Sequence, residues 1–407
     1  MLSRLRNLYT EYPPQFWLMV FGIGISTAGS GLIMPFLMIY ASEKLGLPLG
    51  TVATLLTINF GTGLFASFMA GWLADRVGRK LVMVISLTAN GLIFIFLIFA
   101  ATYLAFAFLM FLAGLVNPLY SVGADAMLAD LVPEAKRSDA YAINRMLNNA
   151  GFAIGPALGG FVAAVSYSYA FMGAAAGMLI YGVMLIFLAR ETLDKTKFEK
   201  IAPTLTTKKP AEGYALVFQD KRYLIFVGLM ALGLIAPGML WTLLGVYTKV
   251  NYSMPENLYG WIPTTNALMC VFVQYLVTYI SRRYHPLSVA PVGMFVYAVG
   301  VGSVFLMNNF TGFWFSMVIM TFGELILIPT ATTYVANIAP DEVRGRYMSI
   351  YWLAFGLSRS SAPLLGGFLY DFVSPHSIWV VGLVIGLAST VGLYMLSRAP
   401  ARRTQDA

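Results

Sequence analysis

Cysteine is almost missing from this chain: Cys270 is the single one among 407 residues. That excludes a disulfide framework and any cysteine-built metal centre. Histidine is nearly as scarce, and His285 and His376 both fall in short polar breaks. Carboxylates are therefore the groups left to cycle a proton inside an apolar setting near neutral pH. Charge is thin, at 11% of residues against the roughly 25% of soluble domains. No GxxxxGK[ST] phosphate loop occurs, which removes ATP as a direct energy source. No metal cluster, activated nucleophile or acid dyad can be assembled, so neither an enzyme nor a metal or organic cofactor is expected.

What is abundant is apolar surface, at 59% of residues. Twelve apolar runs of about 20 residues, each enough to cross ~30 Å of hydrocarbon as helix, centre near residues 28, 61, 91, 117, 154, 179, 235, 269, 297, 323, 357 and 386. The first is long and lacks a small-residue cleavage site, so it reads as a retained span. The fold class expected is an all-α membrane protein of twelve transmembrane helices in two pseudo-symmetric six-helix halves. The halves are residues 1–190 and 223–407, joined by a polar cytoplasmic linker at 191–222 rich in Lys, Thr and Pro. The opening LSRLRNLY is expected to lie as a short amphipathic helix on the membrane surface.

Orientation follows from the 26 Lys and Arg. All but four fall in the N-terminal segment, alternate loops and the C-terminal tail; Lys44 and Lys249 take the opposite side, and Arg145 and Arg359 lie within spans. The positive-inside rule puts both termini in the cytoplasm. The net charge of +8 is then a topology signal, and no nucleic-acid partner is needed to explain it. An integral protein of a bacterial inner membrane, acting as a monomer among membrane lipids, is expected.

The second half repeats the first. VPEAKRSDAYAINRMLNNAGFAIGPALGGF and APDEVRGRYMSIYWLAFGLSRSSAPLLGGF align without a gap, pairing Pro133 with Pro340 and Pro156 with Pro363, each 207 positions apart. Two parallel repeats related by an axis along the membrane normal are a transporter architecture, with binding between the halves near mid-membrane.

GWLADRVGRK, residues 71–80, resembles the loop 2–3 signature of the major facilitator superfamily, with Gly71, Asp75, Arg76, Gly78, Arg79 and Lys80 in place. GFAIGPALGG adds Gly151, Gly155, Pro156, Gly159 and Gly160, a fifth-span pattern similar to that of the drug:proton antiporter group. The resemblance implies the twelve-span fold, a proton gradient as driving force, and a cytoplasmic latch in which Asp75 and Arg79 hold the outward-facing state. Asp130, by position, is similar to the latch acid that meets Arg79. One departure stands out: the group's span-four arginine has no counterpart in MFLAG, residues 110–114. Physically, glycines at i, i+4 and i+8 make a groove for close helix approach, and Pro156 permits a bend.

The remaining charges sit inside spans. Asp125 and Asp130 are five residues apart, so at about 100° per residue they point roughly 140° apart and serve different partners. Asp125, deeper, shares a face with Ser121 and Pro118 and is expected beside Arg145, with Asn148 and Asn149 one turn above. Glu324 and Arg359 lie at similar depth in the second half, Arg359 continuing a face with Trp352 and Phe355. An unpaired acid there costs several kcal/mol or stays protonated, which makes Glu324 and Asp125 the proton-coupling candidates. The expected cavity lining is aromatic and weakly polar: Asn117, Tyr120, Trp241, Asn266, Gln274, Tyr351 and Trp352. With 22 methionines it suits bulky amphiphilic or cationic solutes. The function expected is proton-coupled export of lipophilic small molecules by alternating access. The rivals are a facilitator or symporter of sugars or organic anions, for which Arg145 and Arg359 would clamp substrate, and a lipid flippase or non-transporting sensor.

Overall fold

The computed structural model describes residues 11–193, 210–340 and 343–399. Residues 1–10, for which an amphipathic helix is expected, linker residues 194–209 and the end of the C-terminal tail lie outside them. Among the described residues there is helix and no strand. In chain order the long helical segments are α1 Pro14–Leu45, α2 Leu49–Val77, α3 Arg79–Phe99, α4 Tyr103–Leu131, α5 Arg137–Val165 and α6 Tyr167–Leu188. After the linker come α7 Lys221–Tyr252, α8 at 261–281, α9 Pro286–Leu306, α10 Phe310–Ile338, α11 Arg344–Phe372 and α12 Ser377–Arg398.

Nine of these are long and apolar enough to cross a membrane, and the chain is an all-α membrane protein. The other three occupy the expected places of spans five, eight and eleven. α5 and α11 carry the embedded arginines, Arg145 and Arg359, and α8 is interrupted at Val273 between Trp261–Phe272 and Gln274–Ser281.

Local chemistry sets the helix starts. Thr102 accepts from the Ala105 N–H at 3.3 Å to cap α4, and Asn309, its counterpart in the repeat, accepts from Gly312 at 2.9 Å to cap α10. Each such cap stabilises by about 1 kcal/mol. Gly78 breaks α2 from α3 with φ of +117°, a conformation that a side chain resists.

Packing repeats with the sequence. α1 packs on α5 and α6, α2 on α4, and α3 on α4 and α6; the same pairs recur as α7 with α11 and α12, α8 with α10, and α9 with α10 and α12. The halves meet through α2 against α11 and α5 against α8, two pairs that the repeat interconverts.

Both seams close at the same end, remote from loop 2–3. A Cβ on Gly367 would lie 2.6 Å from the Gly50 Cα, and one on Gly160 would lie 2.5 Å from the Glu256 carbonyl oxygen. Small residues are therefore what lets these backbones touch. Asp371 accepts from the Leu49 and Gly50 N–H groups at 3.1 and 2.6 Å, so the end of α11 caps the start of α2. At the second seam Thr264 donates to the Ala153 carbonyl at 3.1 Å, and Tyr167 donates to Glu256 at 2.5 Å. Lys249 pairs with the same carboxylate at 2.8 Å. Among the described residues every hydrogen bond between the halves lies toward this end, and none joins them beside loop 2–3. The cleft opens on the side of loop 2–3.

Burial pushes the Glu256 carboxyl up, but hydrogen bonds from Lys249 and Tyr167 outweigh it and hold the group below the usual carboxylate range. A lowered acid is charged at neutral pH, and its bridge is lost only as pH falls through that lowered value. Paired spin labels across this end should therefore read a short distance at neutral pH that lengthens at strongly acid pH. Glu256→Gln should lengthen it already at neutral pH; a seam indifferent to both changes contradicts its role.

Candidate functional site

Glu324 projects from α10 into the cleft, half-buried. Asn266 of α8 donates to its Oε2 at 2.8 Å and to the Thr321 hydroxyl at 3.0 Å. Thr321 in turn donates to the Met317 carbonyl at 2.7 Å, which fixes the amide's orientation. Among the described residues Glu324 forms no ion pair, and the cationic charges that act on it are Arg145 and Arg359. A direct Glu324 to Arg359 bridge is thus not made. Arg359 instead stacks over the Phe60 ring of α2, 4.8 Å from its centroid, a cation–π contact between the halves.

The face of α11 falls as its spacing requires. Trp352 and Phe355 pack ring to ring at 5.4 Å on the Arg359 side. Tyr351, about 100° round the helix, is 1% exposed and belongs to the core, so its expected place in the lining is corrected. Trp241 is half-exposed, and Gln274, just past the break in α8, bonds Thr278 and the Leu325 carbonyl.

The first half holds a separate pocket of about 370 Å³. It is lined by Asp125, Asn117, Tyr120 and Asn148, as expected, together with Asn90 and Asn144, and by hydroxyls of α1, α3 and α4. Thr27 donates to the Asn148 Oδ1 at 2.8 Å. The pocket's polar lining is amide and hydroxyl, with Tyr120 the one aromatic ring, and Ile23, Leu87, Ala124 and Met178 complete the wall. The expected pairing of Asp125 with Arg145 does not occur: Asn144 and Asn148, four apart, share the pocket face, and Arg145, about 100° round the helix from Asn144, is outside the lining. Depth along the helix was legible in the spacing; azimuth was not. Asn149 is likewise outside the pocket lining.

Beside loop 2–3 Arg79 meets Asp130 at 3.2 Å and Asp75 at 3.4 Å, so the three expected latch residues come together within the first half. Two residues assigned to the linker complete the cluster. Glu191 accepts from the Arg79 and Lys80 N–H groups, both at 3.0 Å, capping α3, and Thr192 donates to Asp130 at 2.9 Å. Lys80 donates to the Ile186 and Ala189 carbonyls at the end of α6. Gly78 is needed twice here, since a Cβ would also lie 2.3 Å from the Glu191 carboxylate. Arg76 stacks on Trp72, 4.4 Å from its ring centroid, and Gly71 faces open space.

The fifth-span motif has two faces. Cβ atoms on Gly151, Gly155 and Gly159 would lie 2.9, 2.6 and 2.5 Å from atoms of Gly24, Gly31 and Leu32, so this stripe joins α5 to α1. Pro156 and Gly160 serve the seam instead, against Gly260 and Glu256. Within MFLAG, the stretch without the antiporter group's arginine, Met110 and Ala113 are buried, and a Cβ on Gly114 would lie 2.5 Å from the Asn59 carbonyl of α2.

The family model described as Major Facilitator Superfamily matches residues 19–251 and 225–407. The chain belongs to the major facilitator superfamily. As a member it is a carrier and not an enzyme. It is 27% identical over 363 residues to the Na(+), Li(+), K(+)/H(+) antiporter of Planococcus maritimus, covering 82% of this chain and 84% of that protein. It is 28% identical over 366 residues to the quinolone resistance protein NorA of Staphylococcus aureus (strain MRSA252), covering 88% and 90%. A bacterial homolog of the human lysosomal transporter Spinster, solved inward-facing and unoccupied, shares the fold with a TM-score of 0.73 at 13% identity, over 94% of each chain.

Within this superfamily fold, sequence reasoning missed Glu191, Thr192, Phe60, Asn90 and Asn144. The two asparagines carried a usable signal, as amides in or beside apolar runs; Glu191 carried none, because its role depends on the turn at Gly78. Glu191→Ala should lower stability by about 1 to 2 kcal/mol through loss of the α3 cap, read as a lower unfolding temperature in detergent. An unchanged unfolding temperature would remove Glu191 from the cluster.

Proposed function

We propose that this protein is a proton-coupled exporter of amphiphilic or cationic small molecules, working by alternating access, with Glu324 as the coupling acid. The observation that carries the reading is a carboxylate held by Asn266, without an ion pair, on which two cations act, Arg359 of its own half and Arg145 of the other. Such an acid can exchange a proton for a neighbouring charge as the cleft opens and closes. The antiporter and drug-resistance relatives support the same direction of transport.

On this reading both termini are cytoplasmic in a bacterial inner membrane, so the open side is inward and the closed seams face out. The inner cluster of Asp75, Arg79, Asp130 and Glu191 is then a disengaged latch, tied within one half. Arg145 belongs to the first half and Glu324 to the second. Deprotonated Glu324 is drawn toward Arg145 across the cleft, which favours closing the inner end, and protonation from outside cancels that attraction and returns the cleft to the inward-open form. Driving force comes from the proton gradient with no cofactor, and one chain suffices. Trp241, Trp352 and Phe355 offer aromatic faces to a cationic or amphiphilic solute in the cleft.

A second reading, alkali cation exchange for protons, is favoured by the side-chain oxygens gathered around Asp125 and by the Planococcus relative.

The test is transport in proteoliposomes with an imposed pH gradient. Glu324→Gln should abolish uphill export, at least 10-fold, while substrate exchange without a gradient continues. Uphill export by the variant at the normal rate would exclude Glu324 as the coupling acid. A gradient that drives sodium or potassium and no organic cation would favour the second reading.

A further inference from the structure

The pocket of the first half is a second, distinct feature, and its hydrogen-bond valence is lopsided. The Ser86 hydroxyl donates to the Val116 carbonyl at 2.7 Å, Ser121 to the Pro118 carbonyl at 3.1 Å, and Ser30 to the Ser26 carbonyl at 2.8 Å. Asn90 directs its amide hydrogens at Ser86, bonding the carbonyl at 2.9 Å and the hydroxyl at 3.4 Å. Tyr120 directs its hydroxyl at Tyr181, 3.5 Å away. With these donors turned into the helix walls, the lone pairs of Ser30, Ser121 and Tyr120 and the Asn90 carbonyl oxygen are what remain for a ligand. Asp125 adds a carboxylate that, among the described residues, has no side-chain hydrogen bond and no ion pair. No Lys, Arg or His lines the pocket. Asn117 and Asn144 supply amides that can turn either way, while Asn148, its Oδ1 taken by Thr27, is left with its amide hydrogens as donors.

An acceptor-rich pocket bearing one uncompensated negative charge selects a cation that brings its own N–H donors. A volume of about 370 Å³ is in the range of small-molecule sites, far larger than a bare metal ion needs. We infer that this pocket is the head-group site for a primary or secondary ammonium, whose charge sits on Asp125 and whose hydrogens are accepted by the surrounding amide and hydroxyl oxygens. A quaternary ammonium, lacking those hydrogens, would leave the acceptors unpaired. The inference rests on the exporter reading in one respect, that the pocket serves a transported solute. It narrows the substrate from cations in general to hydrogen-bonding amines.

Equilibrium binding to the purified protein, by calorimetry in detergent without any gradient, tests it apart from transport. The probes are phenethylammonium, its N,N,N-trimethyl derivative, 3-phenylpropionate and sodium chloride. Phenethylammonium should bind at least 10-fold more tightly than the other three. Asp125→Asn should weaken it at least 10-fold, and the double change Asp125→Asn with Ser121→Asp, which returns a carboxylate one turn away, should recover part of the loss. Equal binding of the quaternary probe, preference for the carboxylate, sodium binding as tight as the amine's, or an Asp125→Asn protein of unchanged affinity would each overturn the inference. So would a folded double variant that recovers nothing. Because binding needs no coupling, loss of pH-driven export with amine binding intact sinks only the proton-coupling reading. The reverse result sinks only the ammonium site.

Discussion

The close approach of backbone to backbone at one end of both inter-half seams is the constraint on which the remaining architecture depends. Where Gly50 meets Gly367 and Gly160 meets Glu256, there is no room for a side chain. Two halves joined so tightly at one end can separate only at the other. The Asp371 cap on α2 and the bridge from Glu256 to Tyr167 and Lys249 add direction to contacts that would otherwise rest on van der Waals packing. These are also bonds that can be broken as units, as a structure that closes alternately at its two ends requires.

The same opening governs the charges. A carboxylate or guanidinium inside a bilayer must be paired, or must reach water through a cavity. The loop 2–3 cluster takes the first course, with Arg79 between Asp75 and Asp130. Asp125, Glu324, Arg145 and Arg359 take the second, and form no ion pair among the described residues. Leaving them unpaired costs stability, and in the proposed cycle that cost is put to use: Glu324 answers to Arg145 across the cleft, and Asp125 answers to a ligand.

Much of the architecture was legible in the sequence, and the failures share a cause. The helix pairings of the two halves match at the offset that the sequence repeat shows, with Thr102 and Asn309 as equivalent caps. The 3.6-residue period gave the shared face of Trp352, Phe355 and Arg359. What the period could not give was rotation relative to a neighbouring helix. Asp125 and Arg145 were matched in depth and yet face different spaces, and Tyr351 fell on the core side of its helix. Glu191 was hidden for another reason: its contacts are made by a residue of the polar linker folding back on a turn, where no periodicity applies.

Everything in the proposed cycle turns on whether the charge on Glu324 favours closure of the inner end. The distance between spin labels placed at the inner ends of α2 and α11, and between a second pair at the inner ends of α5 and α8, followed across pH, reads that closure without any transport assay. If the charge drives closure, the short, inner-closed population grows as pH rises in the wild-type protein, and Glu324→Gln stays inner-open throughout. A Glu324→Gln protein that closes with rising pH as the wild type does would contradict it.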